Sequence, residues 1–163
     1  MTAHPLNLTV PDGAPFIDWW RDFDAPLSAL YRAHSDPELV KRWLGPAAYE
    51  MQIEAWELRS GGRFRFVQGD SEGNRYWVNG VFHVARENDL IVQTFEFEGW
   101  PDVVSIEILR FQDLGDRRAR LIGHSTYPSQ EARDAMAQSD MEGGMREGYE
   151  RLDAVLDSER AMH

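Results

Sequence analysis

Between Glu50 and Tyr127 the apolar residues come in short runs at a regular spacing. The runs are Met51–Leu58, Phe64–Gln68, Tyr76–Ala85, Leu90–Phe97, Val103–Phe111 and Ala119–Tyr127. Turn-forming clusters separate them: Ser60-Gly61-Gly62, residues 69–74, Glu87-Asn88-Asp89, residues 99–102 and Leu114-Gly115-Asp116. Each run has the length of a strand and each gap the length of a hairpin turn, so the pattern predicts six antiparallel strands joined as a meander. Upstream, Pro15–Ala25 is dense in aromatic and branched residues (Phe16, Ile17, Trp19, Trp20, Phe23) and reads as a further strand.

Two short helices follow that first strand. Pro26 opens one, since the N–H that proline lacks would be unpaired at a first helical turn anyway. Leu27, Leu30 and Tyr31 form its apolar stripe. Ser35 or Asp36, ahead of Pro37-Glu38, caps the second, which carries Leu39, Val40 and Trp43 and ends at Gly45-Pro46. After the strands, Ser129–Leu156 reads as one long helix of roughly 42 Å at ~1.5 Å per residue. Met141, Met145, Gly148, Leu152 and Val155 recur at steps of four and three and give it one apolar face. Gly143 and Gly144 each cost about 1 kcal/mol against alanine inside a helix, which predicts a kink or a close backbone approach there. Residues 1–14 read as a loose, flexible leader, 15–158 as one domain and 159–163 as a flexible tail.

This order predicts an α+β fold: a curved antiparallel sheet of about seven strands wrapped around a long C-terminal helix, with two short helices after the first strand. Sheet and helix each bury one apolar face on the other. Where the helix cannot touch the whole concavity, a cavity is expected.

Composition narrows the functions. The 163 residues, 42% apolar, suffice for one core without a disulfide or metal staple. The net charge of −11, from 28 acidic against 17 basic residues, argues against nucleic acid and anionic membranes as partners. There is no cysteine, which removes thiolate chemistry and disulfides. No apolar run is long enough to span a membrane and no signal-peptide pattern opens the chain, so a soluble, cytoplasmic protein is expected.

Six stretches together resemble one family. They are Arg21–Pro26; Ser35–Pro46 with its tryptophan-Gly-Pro signature; Gly61-Gly62 opening the strand to Phe66; Tyr76–Val84 with Ile91–Gly99; Tyr127–Asp134; and Gly144–Leu152. In this order, over roughly residues 15–157, the sequence is similar to the bacterial proteins related to the C-terminal domain of the activator of Hsp90 ATPase (AHSA-type). These belong to the START/SRPBCC/polyketide-cyclase superfamily. The resemblance implies the helix-grip fold and a hydrophobic cavity between sheet and helix. It implies no single reaction, because members of the superfamily carry lipids, bind metabolites, cyclise polyketides or assist a chaperone. Leu44 and Met145 stand where many relatives carry tryptophan, which removes aromatic area at the cavity.

No strong catalytic motif is present: the sequence has no G-x-S-x-G, H-E-x-x-H, Walker loop or G-x-G-x-x-G. No two histidines stand at ligand spacing on one element, so neither a metal nor a cofactor is expected. Strand alternation that turns Tyr76, Val78, Gly80, Phe82 and Val84 inward turns His83 outward, and Leu121, Gly123 and Ser125 inward turn His124 outward. Among the strand acids, Glu96 is the first candidate for a cavity carboxylate able to act as acid or base, ahead of Glu50, Glu54 and Glu107. Arg63 and Arg65 alternate with Phe64 and Phe66, a pattern read here as a solvated strand face. Gln93 shares the inward phase of Ile91, Phe95 and Phe97, and a buried amide needs a partner.

The expected cavity lining is Trp43, Phe66, Tyr76, Val78, Phe82, Gln93, Phe95, Ile106, Met141, Met145 and Tyr149. Such a pocket would take a hydrophobic or amphipathic small molecule, with methionines adapting its shape. Two alternatives stay open. One is a cyclase- or hydrolase-like enzyme using a cavity carboxylate or tyrosine. The other is an interaction module with a protein partner, or a homodimer, resembling the chaperone activator.

Overall fold

The computed structural model describes residues 4–162. The chain runs β1 (Asn7–Thr9), β2 (Phe16–Phe23), α1 (Leu27–Ser35), α2 (Pro37–Trp43), β3 (Glu50–Trp56), β4 (Arg63–Gly69), β5 (Arg75–Arg86), β6 (Leu90–Phe97), β7 (Val104–Gly115), β8 (Arg118–Thr126), α3 (Gln130–Ala137) and α4 (Met141–Met162). One eight-stranded antiparallel sheet has the order β1-β2-β8-β7-β6-β5-β4-β3. Hairpins link β3 to β8 in sequence, and α1 and α2 carry the chain from β2 to the opposite edge.

Alternation along the strands sets the two faces. Phe64, Phe66, Val78, Phe82, Ile91, Phe111 and Leu121 point to the covered face and are buried. Burying one such side chain contributes about 2 kcal/mol. The helices cover that face. Asp36 caps α2 by accepting from the Glu38 N–H at 3.0 Å, with Pro37 at the first position. Ser129 caps α3 by accepting from the Ala132 N–H at 3.0 Å.

The expected single C-terminal helix is two. The Ser139 N–H and hydroxyl both donate to the Met136 carbonyl, which closes α3 in a tight turn. Asp140 then adopts φ 61°, a left-handed conformation that aspartate tolerates better than most residues. The break therefore lies at 138–140 and not at Gly143–Gly144. Two further differences concern the ends. Asn7–Thr9 of the expected leader pairs with β2 as an edge strand, and Arg133 donates to the Pro11 and Phe16 carbonyls at 2.6 and 3.0 Å. Residues 159–162 of the expected tail continue α4, where Glu159 pairs with Arg32 and Arg42.

Helix α4 runs beside α2 and α1 and stands off the sheet. Long side chains bridge the gap. Trp19 Nε1 of β2 donates to the Tyr149 hydroxyl at 3.0 Å, and Arg21 of β2 grips Asp153 with bonds of 2.8 and 2.6 Å. The Gly45-Pro46 turn is fastened to the outer side of α4: Arg151 donates to both carbonyls at 3.2 Å, and Glu147 accepts from the Ala47 N–H. A side chain at Gly148 would put its Cβ 3.0 Å from the Trp43 carbonyl, so the glycine permits this close approach.

Candidate functional site

The middle of the concave face carries one polar row. Gln93 of β6 is in register with Glu107 of β7, and Glu107 with Ser125 of β8. Gln93 Nε2 donates to Glu107 Oε1 at 2.9 Å, and Ser125 Oγ donates to Oε2 at 3.1 Å. Inward alternation puts all three on the face that α4 covers. Glu107 lies deep in the protein yet keeps part of its surface accessible, and Gln93, Phe95 and Phe97 on the same face do too. Neighbours on the same face, such as Phe82 at 0% exposure, are fully packed.

Burial pushes the Glu107 carboxyl above the ordinary carboxylate range, opposed by the lowering from the Gln93 and Ser125 hydrogen bonds. The Tyr149 and Tyr127 hydroxyls are also pushed up, mainly by burial, with the Glu107 charge adding to it. Among the described residues Glu107 has no ion-pair partner. A carboxyl so placed can accept a hydrogen bond from a ligand. When protonated, it can donate one.

Met141 and Met145 from the first two turns of α4, Leu44 and Phe97 are partly buried against the core. Tyr49 stacks on Tyr76 at 5.7 Å between ring centres, and the Tyr76 hydroxyl donates to Asp70 at 3.4 Å.

Most of the expected lining faces the concavity, but it divides by depth. Phe66, Val78 and Phe82 are packed core. Trp43, at the end of α2, stacks on Tyr149 at 6.0 Å and donates its Nε1 to the Ala33 carbonyl. Gln93, Phe95, Met141, Met145 and Tyr76 are partly buried. Ile106 is a correction: it is 49% exposed on the outer face. Its neighbours Ser105 and Glu107 take the inward phase together with Phe111, so the whole even-numbered set of β7 points outward.

The same phase moves the candidate carboxylate from Glu96 to Glu107. Glu96 points outward and accepts from Asn79 and from the Asp102 N–H. Phe111 carried the signal that identifies Glu107, because it is an inward aromatic at even spacing from it. Ser125 was read as inward from the sequence but without a role. Trp19 and Tyr127 were not singled out.

On the outer face, His83 is exposed, and His124 lies between Asp18 (Nδ1 to Oδ1, 2.5 Å) and Thr126 (Nε2 to Oγ1, 3.1 Å). That carboxylate–imidazole–hydroxyl order is the one used in acyl transfer. Here it lies on the outer face of the sheet, whose backbone N–H groups are engaged in the ladders with β2 and β7 and are not free to hold an oxyanion. Arg65 rests 3.8 Å over the Trp77 ring and bonds Glu98 and Glu54, a solvated strand face as expected. A separate hollow of about 350 Å³ opens beside β3 and the β4–β5 turn, bordered by Glu50, Gln52, Asp70 and Arg75. Asp70 there is occupied in closing the turn, accepting from the Glu72 and Asn74 N–H groups.

Among the described residues, no three acidic or histidine side chains group closely enough to hold a metal ion. Among them too, no helix is long and apolar enough to cross a membrane.

A curved antiparallel sheet closed over a C-terminal helix, with a partly accessible concave floor, is a helix-grip domain. The sequence model of the Activator of Hsp90 ATPase homolog 1-like proteins matches residues 24–157, and the chain belongs to that family. Solved structures agree. A protein from Rhodobacter sphaeroides is 25% identical with a TM-score of 0.86, over 94% of this chain and 99% of that one. A protein from Arthrobacter aurescens is 26% identical with a TM-score of 0.85, over 93% and 91%. The AHSA1 protein from Silicibacter pomeroyi, at 22% identity, a TM-score of 0.74 and coverage of 88% and 99%, shares the fold. No curated protein matches the sequence.

Proposed function

We propose that this chain binds a small hydrophobic or amphipathic molecule in the hollow between the sheet and α4, in the cytoplasm. The observation that carries this reading is the accessible surface left on Gln93, Phe95, Phe97 and Glu107, on a face that α4 covers. Apolar walls supply affinity at ~25 cal/mol per Å² removed from water, and the polar row fixes orientation. The test is a titration with N-phenyl-1-naphthylamine, a neutral fluorophore that brightens in apolar surroundings. Saturable one-to-one binding is expected. Met145→Trp, which fills the rim, should weaken it at least tenfold without lowering the unfolding midpoint. Equal binding by both proteins would refute the reading.

A second reading has its own observation. On the outer face, Val81, Val104 and Ile106 are exposed at 49, 40 and 49%, and Thr94 and Thr126 flank Ile106 in register. Exposed apolar groups clustered on a flat sheet suit a protein partner or a second copy of the chain. Sedimentation of the parent beside Ile106→Lys tests self-association. A monomer at all concentrations for both would remove the homodimer.

A further inference from the structure

The hollow contains an uncompensated carboxyl. Its charged neighbours come from every element around it. Arg21 of β2 is buried to 2% and held two-pronged by Asp153 of α4, so that pair cancels. Arg133 of α3 is committed to the Pro11 and Phe16 carbonyls and to Asp134. The remaining titratable neighbours, Tyr127 and Tyr149, are neutral donors or acceptors. Glu107 therefore meets only the neutral Gln93 amide and Ser125 hydroxyl. A buried carboxylate with neutral partners alone is costly, and a cation placed beside it relieves that cost. Aromatic groups stand nearby: Tyr149 of α4 accepts from Trp19 of β2 and stacks on Trp43 of α2. The chain's net charge of −11 also raises the local concentration of cations.

We infer that the ligand of this hollow is a cationic amphiphile, an apolar or aromatic body bearing a protonated amine that pairs with Glu107. The inference rests on the hollow being a ligand site and adds the chemistry of the buried head group. Gln93 contributes a second acceptor, since its Oε1 has no protein partner among the described residues. A carboxylate ligand is disfavoured, because it would bring like charge against Glu107.

Calorimetry with three probes of matched size tests this: phenethylamine, 2-phenylethanol and 3-phenylpropionate. The amine should bind at least tenfold more tightly than the alcohol, and the acid most weakly. Glu107→Gln should abolish the amine's advantage over the alcohol. Glu107→Met, of similar length, answers the same question where the amide disturbs folding. Equal binding of the three probes, or an amine preference that survives both substitutions, overturns the head-group inference while leaving the binding hollow intact. Binding of none of them, together with no response to the neutral fluorophore, overturns both.

Discussion

Two buried titratable side chains pull the pH dependence of stability in opposite directions. His34 Nδ1 donates to the Leu30 carbonyl at 2.9 Å. It packs edge-on against Trp43 and Phe111. Burial pulls its pKa down from 6.5 to about 4. Unfolded chains therefore take up a proton on His34 between those values when folded chains do not, and stability falls as pH drops through that window, by up to ~3 kcal/mol. His34→Asn should flatten the fall in urea midpoint between pH 7 and 4.5; an unchanged slope would contradict the assignment. Glu107 has the opposite sign. Its pKa is raised on folding, so its contribution is favourable at low pH and is lost as pH rises through the folded value. Glu107→Gln should thus raise the thermal midpoint at pH 8 and give a smaller gain at pH 5. A lower midpoint at pH 8 would show that the carboxylate is better compensated than its partners indicate.

At the scale of elements, the sheet and α4 are coupled by few, specific contacts. In the Arg21–Asp153 pair the Arg21 side chain is only 2% exposed and Asp153 28%. Removing one partner leaves a desolvated charge, so Asp153→Asn should cost about 3 kcal/mol, read from urea unfolding. A loss below that of an exposed ion pair would mean that the Arg21–Asp153 pair does not hold α4 to the sheet. The elements themselves were largely legible in the sequence. The spacing of turn clusters located β3 to β8, and Pro26, Asp36-Pro37 and Gly45-Pro46 bounded the two short helices. The break before α4 was not legible. It depends on Ser139 closing a turn and on a left-handed Asp140, neither of which interrupts a helical pattern as glycine or proline does. The phase of β7 was equally hidden. Val104, Ile106 and Ile108 offer an apolar outward stripe as continuous as the inward one, and only the pairing with β6 and β8 decides between them.

For the whole molecule, the proposed function depends on how far one helix leaves a curved sheet unfilled. The β3–β5 side is filled by aromatics, with Trp56, Phe64 and Phe82 in mutual tilted and edge-on contact. The β6–β8 side carries the Gln93–Glu107–Ser125 row, in which Gln93 and Glu107 stay partly accessible. Family membership supplies the frame, and the side chains particular to this sequence supply the chemistry. The most direct measurement is the NMR spectrum of methionine methyl groups during titration with 2-phenylethanol. The account predicts saturable shifts at Met141 and Met145, with Met162 at the exposed end of α4 unmoved. Methyl signals that stay fixed, or that all drift together without saturating, would contradict it.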